Sequence, residues 1–322
     1  MKAYIVRRIL ESIPTLLIIS FMIFSLLYIT PGDPVALILG TEDLYIPPAQ
    51  RAIIEREWGL DQPFLVRYVR FVTRAFTGDL GTSFATGLPV FESVMERMPA
   101  TLTLTFWSII MALCISVPLG TLAAIKHNSI WDSLATALAT IGVSLPTFWF
   151  ALVLIILFSL RPEGGLPSHG AVTIADAGIV NYFRHLILPV SSLALSMSAL
   201  QTRMVRSSML DVLNQDYVRY ARSKGLQERS VIYSHAFKNA MIPVITVFGA
   251  SIGALLGGAV ITEHIFSWPG VGRLAVSSIG RRDFPMIQGI TFLLCMSYIF
   301  VNLIVDIVYA LVDPRIRLDK KN

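Results

Sequence analysis

Few residues in this chain have the types and spacing that catalysis or metal binding requires. A zinc site on one helix face needs two histidines four residues apart, and no two histidines here have that spacing. They stand singly at His127, His169, His185, His235 and His264. The two cysteines, Cys114 and Cys295, each lie in an apolar run and are expected to act as small hydrophobic residues. The sequence therefore predicts neither a metal site nor a disulfide, and no nucleophile with a nearby base stands out as a catalytic pair.

Phosphate binding is equally unsupported. A Walker-type phosphate loop contains Gly-Lys, and that pair occurs nowhere in the 322 residues. We therefore expect no cofactor in this chain. The formal net charge of +5 does not indicate a nucleic-acid partner, because the basic residues are spread among hydrophobic segments, as membrane topology requires.

The elements that must position the remaining polar groups are apolar helices. Hydrophobic residues make up 54% of the chain and charged residues 15%, against about 25% charged in a soluble domain. A helix needs roughly 20 apolar residues to cross a hydrocarbon core of about 30 Å. Six runs qualify, over residues 9–30, 101–125, 133–160, 186–202, 241–262 and 287–311. The predicted fold is all-α, a polytopic membrane protein with six transmembrane helices.

Charge predicts the orientation of these helices. With six spans, the N-terminus, residues 126–132, residues 203–240 and the C-terminal tail share one side, and their short segments are rich in Lys and Arg. The positive-inside rule makes that side cytoplasmic, so both termini are predicted to be cytoplasmic. Residues 31–99, in which acids outnumber bases, then form a long external region.

Small residues recur on one face of the fifth span. Gly249, Gly253 and Gly257 are spaced by four, and Ser251 adds a hydrogen-bonding group. Such a stripe lets two helices approach closely, and it predicts a helix contact within the chain, against a partner subunit, or beside a solute path. Asp306 is an acid within the sixth span, and we expect it to pair inside the bundle rather than to relay protons.

The largest predicted cytoplasmic segment, residues 203–240, has the pattern of an amphipathic helical pair. Helical spacing places five apolar or aromatic residues on one face: Leu210, Leu213, Tyr217, Tyr220 and Ala221. Gly225 can cap the first helix in the left-handed conformation, and a second short helix is expected around residues 231–236. Such a pair lies on the lipid surface or fills a groove on a soluble partner, and the spacing alone does not decide between them.

Motifs in this segment resemble a known loop. The cytoplasmic EAA loop of binding-protein-dependent ABC permeases is similar to Asp216-Tyr-Val-Arg-Tyr-Ala221-Arg-Ser-Lys-Gly225-Leu and to His235-Ala-Phe-Lys-Asn239-Ala-Met-Ile-Pro243-Val. Further motifs resemble the dipeptide/oligopeptide/nickel branch of that family from end to end. They are Pro31-Gly32-Asp33-Pro34, Gly59-Leu-Asp-Gln-Pro63, Gly78-Asp-Leu-Gly81, Pro99-Ala-Thr-Leu-Thr-Leu-Thr105, Ser267-Trp-Pro269-Gly270-Val-Gly272-Arg273 and Asp313-Pro-Arg-Ile-Arg317.

The resemblance implies a type I ABC importer permease fold and a coupling role for the loop. In that family the loop forms coupling helices that dock into a cleft of a cytoplasmic ATPase. This assigns the ATPase contact here to Asp216, Tyr217, Arg219, Ala221, Gly225 and Leu226. The position of the family's glutamate holds Arg219 in this chain, so the ion pair of that glutamate does not carry over.

The resemblance also implies partners and an arrangement along the chain. A second homologous permease would form a heterodimer with this chain, two cytoplasmic ATPase subunits would bind ATP and Mg, and an extracytoplasmic solute-binding protein would deliver the solute. Residues 1–30 would be the cytoplasmic end and first helix, 31–99 the external region, and 100–322 the permease core in contact with membrane lipid. The external motifs would help receive the binding protein through Pro31, Gly32, Asp33, Pro34, Pro269, Gly270 and Gly272.

The implied function is import of di- or oligopeptides, or related small solutes, across a bacterial or archaeal cytoplasmic membrane by alternating access. Two other functions stay open on the residues alone. An ion- or proton-coupled secondary transporter would need titratable groups near the bilayer midplane. In a non-transport scaffold or receptor, residues 203–240 would only bind the membrane surface.

Overall fold

The computed structural model describes residues 2–29, 35, 46–57, 59–161 and 164–312, and these confirm the all-α prediction. Within them the only β-pairing is an isolated bridge between Thr82 and Pro89. The α-helices, in chain order, are α1 (Lys2–Ile29), α2 (Pro48–Glu57), α3 (Phe64–Phe76), α4 (Val90–Ile125), α5 (Ile130–Ser144), α6 (Thr147–Leu154), α7 (Ile174–Leu213), α8 (Asp216–Ser223), α9 (Phe237–Ile265), α10 (Val271–Gly280) and α11 (Phe284–Val312). A π-helical segment, Ile155–Ser159, continues α6, and a short turn, Glu228–Ser230, leads through a second π-helical segment, Val231–Ala236, into α9.

Four stretches in the described residues are long and apolar enough to cross a membrane as single helices: Val90–Ile125, Ile174–Leu213, Glu228–Gly253 and Phe284–Ile307. The pair Ile130–Ser144 and Thr147–Ser159 adds a fifth if it is counted as one broken span. The apolar part described in α1, Leu10–Ser25, rises only about 24 Å at 1.5 Å per residue, which is less than the hydrocarbon thickness of about 30 Å. The predicted number of six spans is therefore not confirmed.

The broken span bends at a proline. α5 ends at Ser144, the backbone of the next residue, Leu145, is extended, and Pro146 precedes the first residue of α6. Proline disfavours the helical conformation in the residue before it and cannot donate a backbone hydrogen bond. The chain consequently bends by 103° between the two helices.

The chain divides into two compact units. Among the described residues, the larger unit comprises those of 100–269 and 300–312. Its central helix is α7, which packs against α5, α6 and α9. α7 contains the predicted span 186–202 but continues to Leu213, so the first part of the predicted cytoplasmic segment is an extension of a membrane-length helix.

The smaller unit comprises Lys2–Pro99 and Gly270–Ile299. Its aliphatic core contains Val90, Val94 and Ile290, and an aromatic layer joins α1 to α3. Phe24 of α1 lies 5.4 Å from Phe64 and 5.6 Å from Phe71, measured between ring centroids. These contacts fix α3 along the second half of α1.

A buried carboxylate holds the loop before α4 in the smaller unit. Asp283 is 2% exposed and accepts hydrogen bonds from the Ser83 hydroxyl at 2.5 Å and from the Phe84 backbone N–H at 3.1 Å. Because a buried charge is tolerated only when it is hydrogen-bonded or paired, this loop and the start of α11 are expected to form together.

Candidate coupling site

The predicted cytoplasmic segment, residues 203–240, is built from the end of α7, the eight-residue α8 and the π-helical approach to α9. A turn at Asn214 and Gln215 separates α7 from α8. The prediction that five residues from Leu210 to Ala221 share one helix face was therefore wrong, because the turn ends the helical repeat between Leu213 and Tyr217. Asp216 occupies the first turn of α8, where a negative charge is favoured by the helix dipole.

The inner face of α8 is apolar. Val218 and Ala221 of α8 and Val231 of the π-helical segment form one buried cluster, and Val212 and Leu213 at the end of α7 pack against it. This cluster fixes α8 to the elements before and after it. Since Ala221 is only 7% exposed, its methyl group is not available for the ATPase contact that the resemblance assigned to it.

Gly225 ends α8 as predicted. Its φ is +78°, in the region that favours glycine, and its N–H donates to the Arg222 carbonyl at 2.9 Å. The Lys224 N–H donates to the Tyr220 carbonyl at 3.1 Å. This left-handed cap ends α8, and Leu226 and the turn Glu228–Ser230 follow directly.

Large side chains in this segment are exposed. Tyr217 is 43% exposed, Tyr220 62%, Leu226 45% and Tyr233 58%, and we call these four the exposed coupling residues. Exposed aromatic residues in such numbers are typical of protein interaction sites and of the membrane interface, because their rings bury a large area while the polar group stays in water. Tyr217 and Leu226 were both predicted, whereas Tyr233 was missed because the π-helical segment shifts its face.

The surface around these residues is basic. From residue 216 to residue 240 there are five basic residues and two acids. Arg222 and Glu228 neutralise each other in a bidentate pair, with Nη2 to Oε1 at 2.8 Å. Arg219 is 68% exposed and lies 3.9 Å from Asp216 Oδ1, which is a weak surface interaction. The departure from the family's glutamate at Arg219 therefore presents a positive charge to solvent.

The site is connected to the bundle on both sides. The Asn239 amide of α9 donates to the Tyr217 hydroxyl of α8 at 2.9 Å. Ala236, Ala240 and Val244 then pack in one buried cluster with Val205 and Met209 of α7. Because α8 is attached to α7 and to α9 by these contacts, a force on α8 acts on two helices of membrane length.

An ion pair between the buried Asp132 of α5 and the partly exposed Arg206 of α7 was not predicted. Asp132, 5% exposed, accepts from Arg206 Nε at 2.5 Å and from Arg206 Nη2 at 2.8 Å. The Asn128 N–H also donates to Asp132 at 3.1 Å, and His127 Nδ1 lies 3.0 Å from the same carboxylate. The sequence showed Arg206 only as one of many cytoplasmic bases. The available signal was Asp132 itself, an acid in the first turn of an otherwise apolar helix.

The glycine stripe makes the predicted contact at one end. A methyl group at Gly249 would overlap Val305 Cγ1 and lie 2.9 Å from Val305 Cβ, so α9 and α11 approach closely there within the chain. Gly253 is buried, and the Gln201 amide lies 3.3 Å from the Ser251 hydroxyl. A methyl group at Gly257 would meet nothing within 4 Å, so the described chain has no neighbour at that end of the stripe.

This difference predicts opposite effects for two alanine substitutions. Gly249→Ala is expected to destabilise the chain by about 1–3 kcal/mol through overpacking against the stiff Val305 side chain. Gly257→Ala, the matched control, is expected to be neutral or stabilising, because alanine is favoured over glycine by about 1 kcal/mol in a helix. Thermal unfolding of the chain in detergent measures both, and equal melting temperatures would contradict the Gly249 contact.

Some of the predicted external motif residues lie in the described part of the chain, and the others lie outside it. Pro31, Gly32, Asp33 and Pro34 lie outside the described residues. Pro269 is exposed, Gly270 precedes α10 as its N-cap, and Gly272 is buried in α10. The neighbouring Trp268 was not singled out, yet it is 2% exposed and its indole N–H donates to the Ala100 carbonyl at 2.9 Å.

A second buried acid lies close to that tryptophan. Glu263 is fully buried, and its carboxylate accepts a hydrogen bond from the Thr101 hydroxyl at 2.6 Å. Its backbone carbonyl accepts from the backbone N–H of Trp268 at 2.8 Å. Among the described residues, no three His, Cys, Asp or Glu side chains come together as a metal site. The arrangement thus fits a structural clasp between α4 and the end of α9.

Comparison with known proteins identifies the family. Residues 116–318 match the model of the binding-protein-dependent transport system inner membrane component, and residues 1–105 match the model of the N-terminal part of such membrane components. The chain is 44% identical over 318 residues to the oligopeptide transport system permease protein AppB of Bacillus subtilis (strain 168), covering 98% of this chain and 99% of the relative. It is 40% identical over 341 residues to the dipeptide transport system permease protein DppB of Escherichia coli (strain K12), covering 99% and 100%.

A solved structure shares the fold. A chain of the MetNI methionine ABC transporter in an inward facing conformation aligns with a TM-score of 0.56 at 16% identity, covering 69% of this chain and 96% of that chain. At this identity the likeness speaks for the fold alone, and it agrees with the predicted importer permease fold. With the two family models and the full-length relatives, it shows that this multi-pass membrane protein belongs to the family of binding-protein-dependent transport system inner membrane components.

Proposed function

We propose that this chain is one membrane subunit of an ATP-driven importer that carries di- or oligopeptides, or chemically related small solutes, across the cytoplasmic membrane. The relatives named for oligopeptide and dipeptide transport support this cargo class, since they match along their full length. The observation that carries the proposal is the coupling site. Tyr217 and Tyr220 lie on a short helix that is attached to both α7 and α9, and Leu226 and Tyr233 lie in the segment that follows it.

The proposed mechanism is alternating access. Two cytoplasmic ATPase subunits bind ATP and Mg, and each one holds a coupling helix as it closes around the nucleotide. The apolar and aromatic surface of α8 and Leu226 fits a groove on such a partner. Movement of α8 then passes to α7 through the buried cluster at Val218 and to α9 through Asn239.

The proposed assembly follows from the family. This chain pairs with a second, homologous permease as a heterodimer, and an extracytoplasmic binding protein delivers the solute to the external region, residues 31–99 and 263–286. Both termini and the coupling site are cytoplasmic in this proposal, as the distribution of basic residues supports. The exposed Arg219, where the family has glutamate, calls for an acidic or neutral contact on the ATPase surface.

A pair of neighbouring substitutions tests the coupling role. Leu226→Asp is expected to lower ATP-dependent uptake at least roughly tenfold, because an unpaired charge is costly to bury in a desolvated interface. Gln227→Asp introduces the same charge one residue later. It is expected to leave uptake unchanged, because Gln227 is exposed and precedes the turn Glu228–Ser230 as its N-cap, where aspartate is favoured.

The measurement uses the assembled transporter in proteoliposomes, with uptake and ATP hydrolysis followed together at equal amounts of chain. Uptake that persists without the ATPase subunits would instead support an ion-coupled secondary transporter. If Leu226→Asp and Gln227→Asp behave alike, the docking role of Leu226 is wrong.

A further inference from the structure

Two open grooves in the larger unit adjoin each other beside α7. The first lies between α5, α7 and α9 and has a volume of about 470 Å³. The second runs along α5 from Asn128 to Ile141 and has a volume of about 600 Å³. Thr136 and Arg206 line both, so we treat the two as one and call it the α5–α7 groove. Each volume lies within the range of about 300–1,000 Å³ that is typical of small-molecule sites.

The groove is lined by a polar face of α5. Ser133, Thr136 and Thr140 are exposed and line it, and they are separated by three and four residues, as neighbours on one helix face are. Leu134 and Leu138 are exposed as well, but they do not line the groove. α5 therefore presents one apolar face that suits lipid and one hydroxyl-bearing face that suits water or a polar ligand.

α7 adds a positive charge that the chain does not neutralise. Arg206 lines the groove but is already paired with Asp132, which is the one acid among the described lining residues. Arg203 lies one turn earlier on α7, is exposed and lines the groove. It has no hydrogen-bond or ion-pair partner within the part of the chain that the structure describes. Because ionisable residues on helices of membrane length characteristically face water-filled paths, the groove offers a free guanidinium group to an anion.

The solute of the proposed importer carries such an anion. Every linear peptide ends in a carboxylate, whatever its side chains are, and the planar guanidinium group of arginine can bind a carboxylate through two parallel hydrogen bonds. Leu200 and Val247 form an apolar wall beside Arg203, which suits peptide side chains of varied type. The phosphate of an anionic lipid is the other source of an anion, but the hydroxyl-bearing face of α5 gives its acyl chains little apolar surface to bury.

The groove is connected to the coupling site through α7. This helix is continuous from Arg203 to its end at Leu213, and Val212 and Leu213 pack against the buried cluster of α8. A movement of α8 that is passed to α7 would therefore move Arg203 as well, and it would change the width of the groove.

We propose that the α5–α7 groove contacts the peptide on its path to the cytoplasm, and that Arg203 binds the C-terminal carboxylate of the peptide there. The hydroxyl groups of Thr136 and Ser207 line the same groove as further hydrogen-bonding groups. This inference rests on the proposed function, because it takes a peptide as the solute. It adds the residue and the chemical group through which this chain recognises that solute.

Binding of trialanine and of its C-terminal amide tests the proposal. The assembled permeases and ATPases are used without nucleotide or binding protein, so that any wall supplied by the second permease is present. The wild-type complex is expected to bind the acid about tenfold more tightly than the amide, the effect of one charge-assisted pair. In Arg203→Gln this ratio is expected to fall to about one, through weaker binding of the acid alone.

Lys126→Gln is the matched control. Lys126 is an exposed base of the loop before α5, in the same unit, and it does not line the groove. Its replacement removes the same charge and is expected to keep the acid-to-amide ratio of the wild type. Because Arg203 is also exposed, both variants are expected to fold.

Uptake of trialanine by the same complexes in proteoliposomes, with the binding protein added, separates the two ways of failing. An equal acid-to-amide ratio in the wild type and Arg203→Gln, or no binding of trialanine to a complex that imports it, would overturn the site and leave the proposed function intact. A wild-type complex that imports no peptide would overturn the proposed function and this inference with it. Loss of bound phosphatidylglycerol from Arg203→Gln in native mass spectra, at an unchanged peptide ratio, would assign the groove to a lipid headgroup instead.

Discussion

Asp132→Ala is expected to destabilise the chain by about 3 kcal/mol, the upper end of the range for losing hydrogen bonds to a charged group, because Asp132 is buried while Arg206 is partly exposed. The substitution leaves the Arg206 guanidinium without its bidentate acceptor and the Asn128 N–H without its hydrogen bond. In thermal unfolding this corresponds to a melting temperature lower by roughly 6 °C.

Asp211→Ala is the matched control for this experiment. Asp211 is an exposed acid on the same helix as Arg206, and its loss is expected to change stability by less than about 0.5 kcal/mol. A double variant, Asp132→Leu with Arg206→Met, should recover much of the loss, because removing both charges leaves no buried charge unpaired. Equal melting temperatures for Asp132→Ala and Asp211→Ala would show that the ion pair between α5 and α7 contributes nothing.

Gly225→Val is expected to reduce ATP-dependent uptake roughly tenfold. A left-handed backbone conformation costs an L-residue about 1–2 kcal/mol, and a β-branched side chain lies at the unfavourable end of that range. A cost of this size lowers the equilibrium constant for the capped conformation roughly tenfold. The loss acts through the path of the chain between α8 and Leu226, since a methyl group at Gly225 would meet nothing within 4 Å. Gly225→Asn, which tolerates the same φ, is expected to keep most of the activity.

Uptake and ATP hydrolysis by both Gly225 variants are to be compared at equal amounts of assembled transporter. The informative quantity is the ratio between the valine and asparagine variants, because both add a side chain and only one strains the backbone. A ratio near one would remove the cap from the coupling mechanism.

The hydropathy pattern was sufficient to predict the all-α fold, because the formation of an apolar helix depends on residues that are close together in the chain. The run 101–125 lies within α4 and the run 287–311 within α11. The cap at Gly225 was equally local, since a glycine after Arg222 and Lys224 is sufficient to indicate it. The turn at Asn214 and Gln215 was missed because apolar spacing continues across it, and spacing does not record whether a helix is interrupted.

Contacts between residues that are far apart in the chain could not be predicted from the sequence. Asp132 and Arg206 are 74 positions apart, and each had a sufficient explanation as a charge near the cytoplasmic surface. Gly249 and Gly257 have equal spacing and composition, yet only Gly249 meets a neighbour.

The π-helical segment Val231–Ala236, between α8 and α9, accommodates one residue more per turn than an α-helix does. Conversion of this segment to α-helical hydrogen bonding would rotate α9 about its axis by one residue, or about 100°, relative to the turn Glu228–Ser230. The π-helical and α-helical forms of this junction would therefore place α9 at two different angles, because each N–H would bond to a different carbonyl. Such a change would rotate α9 like a screw, in addition to any tilt, without breaking the helix.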